Sequence, residues 1–476
     1  SLLINIGQSV SKYLRDKNKV KYYAQELKEN TYSLTRMNLV MRGILPENII
    51  TRCGDTLADD WPYFDDKNKE TTYETLYVDA VVSNPPYSQK WDPHEDARFD
   101  GYGIAPKSKA DYAFLLHDLY HLNPDGIMTI VLPHGVLFRS GEEGQIRKNL
   151  IENDNIDTII GLPANIFFGT GISTIVMVLK KKRATNDVLI IDASKGFVKD
   201  GRNNKLRECD IKKIVDTVIN RVSIDKYSRV VSKDEIRNND YNLNIPRYVN
   251  SSEQAESYDI YATMLGGIPN NEINELSKYW DAFPTLKNEL FTSISTNFSE
   301  LSVEDVKTTI SNNKDIIFFD NQFKEKFSDF DSYLNELLIK GYDDINISKA
   351  EDIISSNIFE RLSNIALIDK YQAYQLLADE WANISNDLEI IQTEGITSVN
   401  KVDPIMVIKK KDNKDEEAQE IQDGWKGHVL PFNLVQDELL SAEKAEIDSK
   451  NERLSTIISL YSEKIENLSE DDKQEI

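Results

Sequence analysis

Cysteine is scarce, with two residues among 476. Cys53 and Cys209 stand far apart in sequence and suggest neither a disulfide framework nor a zinc-ligand spacing, so both read as reduced and structural. No run of about eighteen apolar residues occurs, and no membrane-spanning helix is predicted. No charged, apolar and small-residue series marks a secretory leader. A soluble, cytoplasmic chain without membrane contact is the expectation. An initiating methionine is also missing: Ser1 opens SLLINIGQSVSKYL, whose apolar residues at helical spacing (Leu2, Leu3, Ile6, Val10, Tyr13, Leu14) have no lead-in. An upstream segment is expected.

Charge is unevenly spread. The net charge is −24, yet residues 1–250 hold 35 Lys+Arg against 34 Asp+Glu, and the remainder holds 21 against 46. The first part is nearly neutral with local basic clusters. The second should repel a phosphate backbone and suits protein contacts. A chain of this length makes two or three domains, with a composition step near residue 250.

Over residues 1–195 β-rich runs (TLYVDAVVS, GIMTIVLP, IDTIIGLP, STIVMVLK, DVLIIDAS) alternate with helical stretches such as ADYAFLLHDLYHL and EGQIRKNLIE. This predicts an α/β fold with a mostly parallel, Rossmann-like sheet. Three strand-like runs after residue 155 have short connections, so an antiparallel strand is expected at the late end. Residues 196–250 read as an irregular extension. Residues 251–476 read as an acidic helical domain, in which Leu440, Ile447, Leu454, Tyr461 and Leu468 recur every seven residues and predict a long packed or coiled-coil helix. Residues 409–423, KKKDNKDEEAQEIQD, read as a charged loop.

The stretch DAVVSNPPYSQKWD carries the chemistry. YVDAVVS ends where Asn84 begins, and Pro85 and Pro86 have no N–H for a sheet, so the chain must leave the strand. The carboxyl edge of an open α/β sheet is where ligands bind. The Asn84 side-chain oxygen and the Pro85 carbonyl can accept both hydrogens of a planar amino group, favouring its lone pair as a nucleophile, while Tyr87 can stack on the ring that carries it. Methyl transfer onto an exocyclic amine fits such a site. The same four letters also make an ordinary strand-terminating turn.

Further stretches, TYSLTRMNLVMRGI, GDTL, APKSKADYAFLLH, VLPHGVLFRSGEEGQIRKNLIE, IIGLPANIFFGTGIST, IDASKGF and NDYNLNIPRYV, resemble, together with NPPYSQKW, the modification subunits of type I restriction-modification systems. The resemblance spans about residues 1–250 and continues more loosely in LIDKYQAYQLLADEWANI and GWKGHVLPFNL. It implies an adenine-N6 DNA methyltransferase using S-adenosylmethionine. Asn84, Pro85, Pro86 and Tyr87 would form the catalytic loop, where the family more commonly has Phe at position 87. Glu26 in AQEL would bind the cofactor ribose hydroxyls, Asp55 in CGDTL would accept from the cofactor adenine, and Phe114 would line the same pocket. Each also has a plain reading as helix-start glutamate, turn aspartate or core aromatic. Phe167 would sandwich an extruded adenine opposite Tyr87, with Phe168 as its rival, since a base edge is alkylated outside the duplex. The family's Asp-Pro-x-Cys-Gly-Ser-Gly-Ser cofactor loop should precede Leu2, with Ser1 as its last residue. Without the strand feeding that loop, a chain starting at Ser1 is not expected to fold alone.

The resemblance also implies double-stranded DNA, a specificity subunit and a restriction subunit as partners, in an assembly of two modification subunits and one specificity subunit, with or without two restriction subunits. Lys107, Lys109, Arg139, Arg147 and Lys148, and the run from Lys180 to Arg183, are candidates for phosphate contacts, although charged loop ends are usually just solvated. His117 and His121 lie four apart on one helix, without a third ligand at convincing spacing, and no metal is expected. Two other readings stay open: methylation of a protein glutamine or an RNA adenine, and a non-catalytic scaffold joining specificity and nuclease subunits.

Overall fold

The computed structural model of the chain describes residues 2–11, 19–58, 62–63, 74–167, 169–251, 259–409 and 419–466. Ser1, Phe168 and Leu468 lie outside them. α1 (Leu2–Ser11), β1 (Tyr22–Glu26), α2 (Glu29–Met41) and β2 (Ile49–Cys53) come first. β1 and β2 pair in parallel with Glu26 opposite Cys53. α1 lies so close to β1 that any side chain at Gly7 would strike the Tyr22 hydroxyl.

β3 (Val78–Ser83), α3 (Asp111–Tyr120), β4 (Leu122–Pro133), α4 (Glu142–Glu152), β5 (Ile156–Gly161), β6 (Thr174–Leu179), β7 (Val188–Asp192), α5 (Glu208–Asn220) and β8 (Ser228–Val231) follow. They build a six-stranded sheet in the order β8-β7-β5-β6-β4-β3. β3 and β4 are parallel, as are β5 and β7. β6 runs antiparallel between β4 and β5, and β8 antiparallel beside β7. The late antiparallel element is therefore present. The chain reverses there because the segments flanking β6 hold no described helix to carry a parallel crossover. β1 and β2 form their own two-stranded sheet, and among the described residues no ladder joins them to β3.

Alternation sorts the strand residues onto two faces. Ile159 and Ile190 pack with Leu116 of α3 and Ile146 and Leu150 of α4 in the larger core. Ile160, Leu189 and Ile191 pack with Ile214 of α5 on the other face. Full burial of each such side chain is worth about 1.5–3 kcal/mol.

This corrects the reading of residues 196–250 as irregular: a sheet buried on both faces needs a cover on each, and α5 supplies the second. Only Cys209, Ile214 and Thr217 of α5 are buried, while Ile211, Val215 and Ile219 stay exposed. Ile211, Ile214, Val215, Val218 and Ile219 share one face at helical spacing, and the sheet covers only the edge of that face that carries Ile214.

The region beyond 250 is mainly helical, as expected, and also holds strands that the sequence did not show. Residues 268–301 hold a small antiparallel sheet of three short strands. A hairpin pairs β9 (Val402–Lys409) with β10 (Gln419–Gly427). Residues 419–423 of the expected charged loop thus lie in β10, and 410–418 lie outside the described residues. A register shift at Ile405/Met406 and Gly424 at φ 146° interrupt the two-residue period that would have shown this hairpin. α6 (Ser441–Glu466) is the long helix that the heptad predicts. Apart from the half-buried Lys444, its side chains are exposed throughout the stretch where they are described, 441–462.

Two compact units result: residues 1–323 with 355–378, and residues 324–354 with 379–476. This division falls elsewhere than the composition step near 250. Among the described residues, no helix is long and apolar enough to cross a membrane.

Candidate functional site

At the end of β3 the chain leaves the ladder through Asn84, Pro85, Pro86 and Tyr87, because neither proline can donate to a neighbouring strand. Asn84 and Pro86 are exposed, Pro85 is buried and Tyr87 half-buried. The Tyr87 hydroxyl donates to Asn84 Oδ1 at 2.8 Å, and burial pushes its phenol above the usual range. Ser88 turns the chain with φ 52°, and its N–H donates to Asp111 Oδ1 at 2.7 Å.

Asp111 opens α3 and is 1% exposed. Its Oδ2 accepts from Arg139 at 3.1 Å, and the same guanidinium nitrogen reaches Glu143 at 3.1 Å. The turn is thereby fastened to two helices. Behind it, the Ser83 side chain hydrogen-bonds Asp118 of α3, whose carboxyl is pushed up to about 7, chiefly by burial. Asp118 Oδ2 is buried without a hydrogen-bond partner among the described residues.

The second part of the site lies across one strand. β4 stands between β3 and β6, so the Asn84 turn and the 162–173 segment flank its carboxyl end. Within that segment Asn165 has φ 56° and Gly169 φ 81°, and a Cβ at Gly171 would come within 2.9 Å of Asn165 Oδ1. The tight turn therefore needs its glycines. Phe167 is half-buried and packs against the core on the α5 face.

Glu26 and Asp55 sit together at the carboxyl ends of β1 and β2. The Gly54 N–H donates to the Glu26 carbonyl at 3.0 Å, and Asp55 Oδ1 accepts from the Leu57 N–H at 3.0 Å. Glu26 is half-buried and Asp55 exposed. Phe114 is half-buried against the main core, compatible with a core role as much as with a pocket wall.

The basic candidates separate sharply. Arg147 is 3% exposed, and its guanidinium donates to the carbonyls of Tyr241, Val136 and Arg139 at 2.7, 3.0 and 2.9 Å. Arg139 bridges Asp111 and Glu143. Both are structural, which corrects their assignment to phosphate. Lys180 and Arg183 are likewise engaged by Asp157 at 3.4 and 3.1 Å. Lys148 is exposed, its ammonium 5.5 Å from the Tyr241 ring centre. Lys107 is exposed and meets the exposed Asp92 at 3.2 Å; Lys109 is half-buried.

His117 takes part in a 3.0 Å contact with Arg98, and His121 one of 2.8 Å with the Leu76 carbonyl. Among the described residues no group of three His, Cys, Asp or Glu side chains is placed to hold a metal. Sequence reasoning missed Asp111, whose only signal is a carboxylate in the first turn of a predicted helix, and His134, which follows β4.

Residues 1–257 match the family described as N-6 DNA methylase. The type I restriction enzyme MpnII methylase subunit of Mycoplasma pneumoniae is 35% identical over 294 residues, covering 60% of this chain and 52% of that protein. The MjaVII methylase subunit of Methanocaldococcus jannaschii is 34% identical over 268 residues, covering 52% and 44%. A solved methyltransferase subunit of a type I restriction-modification system from Streptococcus thermophilus is 49% identical, covering 51% of each chain with a TM-score of 0.48. The chain spans about half the length of the curated relatives it matches.

Proposed function

This chain belongs to the N-6 DNA methylase family, and from that premise we propose that it transfers a methyl group to adenine N6 in DNA as the modification subunit of a type I restriction-modification complex. The observation that carries the reading is the Asn84–Pro85–Pro86–Tyr87 turn at the carboxyl end of β3, fastened through Ser88 to Asp111. Asn84 Oδ1 and the Pro85 carbonyl accept the two amino hydrogens, leaving the nitrogen lone pair directed out of the base plane. Tyr87 and Phe167 hold the extruded base by stacking, which offsets part of the stacking and pairing lost from the duplex.

The methyl donor is S-adenosylmethionine, whose sulfonium makes the methyl group electrophilic. Glu26 and Asp55 suit its adenosine half, because two adjacent carboxylates can accept from vicinal hydroxyls and from an amino group. Gly54 between them leaves bare backbone there: a Cβ would press within 3.2 Å of Gln25 Nε2. Phe114 and, beyond the described residues, Ser1 complete the proposed pocket.

Lys107, Lys109 and Lys148 are the proposed phosphate contacts, and the acidic remainder of the chain leaves base reading to a specificity subunit. Exposed Ile447, Leu454, Ile458 and Tyr461 on α6 support that helix as its handle. A restriction subunit joins in the complete system, in assemblies of two modification subunits with one specificity subunit, and two restriction subunits where cleavage is added.

The test is nucleoside analysis of a duplex treated with the complex and isotope-labelled donor. N6-methyladenine at one site per recognition sequence supports the reading. Label in protein glutamine or RNA overturns it.

A further inference from the structure

His134 follows Pro133, the last residue of β4, and opens a single 3-10 turn, His134–Leu137. Its position follows from the sheet register. Ser83 lies opposite Ile130, so the Asn84 turn emerges just short of the end of β4. On the other side Pro133 lies opposite Thr174, and the His134 N–H donates to the Ser173 carbonyl at 3.2 Å. The residue therefore stands between the turn that grips the amine and the segment that carries Phe167.

The imidazole is half-buried. Its ring packs edge-on against Phe138, with centroids 5.6 Å apart, and neither ring nitrogen has a hydrogen-bond partner among the described residues. Burial pushes its pKa below the ordinary histidine value, against the opposing pull of Asp192. The ring is thus neutral at physiological pH, with one N–H donor and one bare acceptor nitrogen.

The turn is tied to the site by hydrogen bonds: the Arg139 N–H donates to the Gly135 carbonyl at 3.1 Å, and the Arg139 guanidinium is bound to Asp111, which also holds Ser88. One network therefore fixes both the histidine turn and the Asn84 turn.

Resting on the proposed adenine methylation, we infer that His134 is a base-contacting residue, its imidazole N–H donating to a ring nitrogen of the extruded adenine beside the amino group. Adenine carries two such acceptors flanking N6, namely N1 and N7. The Asn84 and Pro85 oxygens grip the amine but accept only, so they leave both ring nitrogens unmet. A neutral donor beside them adds the missing complement and disfavours any base with an N–H at that place.

The test uses the natural full-length chain assembled with its specificity subunit. Single-turnover methylation is measured on duplexes carrying adenine, 1-deazaadenine or 7-deazaadenine at the target, for wild type, His134→Ala and His134→Gln. Wild type should lose about tenfold with one deaza analogue, the worth of one hydrogen bond. His134→Ala should lose about tenfold on adenine and no more on that analogue, while His134→Gln, which keeps a donor, should recover most of the rate. Equal further losses on the analogue in wild type and His134→Ala, or a wild type indifferent to both analogues, would overturn the assignment. Absence of methylation by wild type on adenine would instead defeat the reading on which it rests.

Discussion

The Tyr87 hydroxyl donates to the side-chain oxygen of Asn84 across 2.8 Å, so the acceptor proposed for the target amine is already engaged by its neighbour. An incoming amino group must displace that bond, and the phenol must then find another partner or water.

Tyr87→Phe is accordingly expected to keep methylation at or above the wild-type rate, because the ring still stacks and Asn84 Oδ1 becomes free. Tyr87→Ala should weaken capture of the extruded base by about tenfold or more, since stacking on an aromatic contributes about 1–3 kcal/mol per base. Fluorescence of 2-aminopurine at the target position reads this directly. A Tyr87→Phe variant as impaired as Tyr87→Ala would mean that the hydroxyl, not the ring, is what matters.

Arg147 and Lys148 are neighbours with opposite expected behaviour. Arg147→Ala strips donors from three carbonyls in a buried setting and should destabilise the protein by about 3 kcal/mol, seen as a lower denaturant midpoint. Lys148→Ala should leave stability within about 0.5 kcal/mol and lower DNA affinity with a shallower salt dependence, by about one unit of slope. Reversed outcomes would return Arg147 to the DNA-facing set.

Asp118 gives a pH signature. Folded, the carboxyl keeps its proton up to about 7, with burial outweighing the Ser83 hydrogen bond and His121; unfolded, it releases the proton near pH 4. Its stabilising contribution is complete below about pH 4 and is lost as pH rises through about 7. Asp118→Asn should therefore flatten the fall of melting temperature on the alkaline side and gain stability near pH 8. Parallel melting curves for the two proteins across that range would refute the buried, proton-holding state.

Much of this was legible in the sequence because it rests on strong local rules. β5, β7 and the NPPY turn combine continuous apolar runs with prolines, and each lands where those patterns put it. α5 was missed although Ile211, Ile214, Val215, Val218 and Ile219 recur on one face at helical spacing; the polar stretches on either side drew the reading, and much of that apolar face stays exposed in the fold. The β9–β10 hairpin escaped because a register shift at Ile405/Met406 breaks its alternation. For Arg139 and Arg147, sequence shows a charge but not the carboxylates or carbonyls that only the fold brings within 3.1 Å. His134 carried no motif; its place depends on strand order.

The exposed apolar residues of α6 make a prediction about assembly. Ile447, Leu454, Ile457, Ile458 and Tyr461 are each more than half exposed, so deleting residues 433–476 should weaken association with the specificity subunit while leaving cofactor affinity unchanged. Sedimentation of the mixed subunits and calorimetric titration with S-adenosylmethionine separate the two effects. Full assembly by the shortened chain would place the contact elsewhere.

The most direct measurement of the central claim is single-turnover methyl transfer by Asn84→Ala in the assembled complex, with S-adenosylmethionine affinity measured on the same preparation. In the proposed mechanism Asn84 orients the target amine, whereas the adenosine half of the cofactor is left to Glu26 and Asp55. The account predicts a loss of about a hundredfold or more in the transfer rate with cofactor affinity within about twofold. Near-normal transfer by this variant would contradict it.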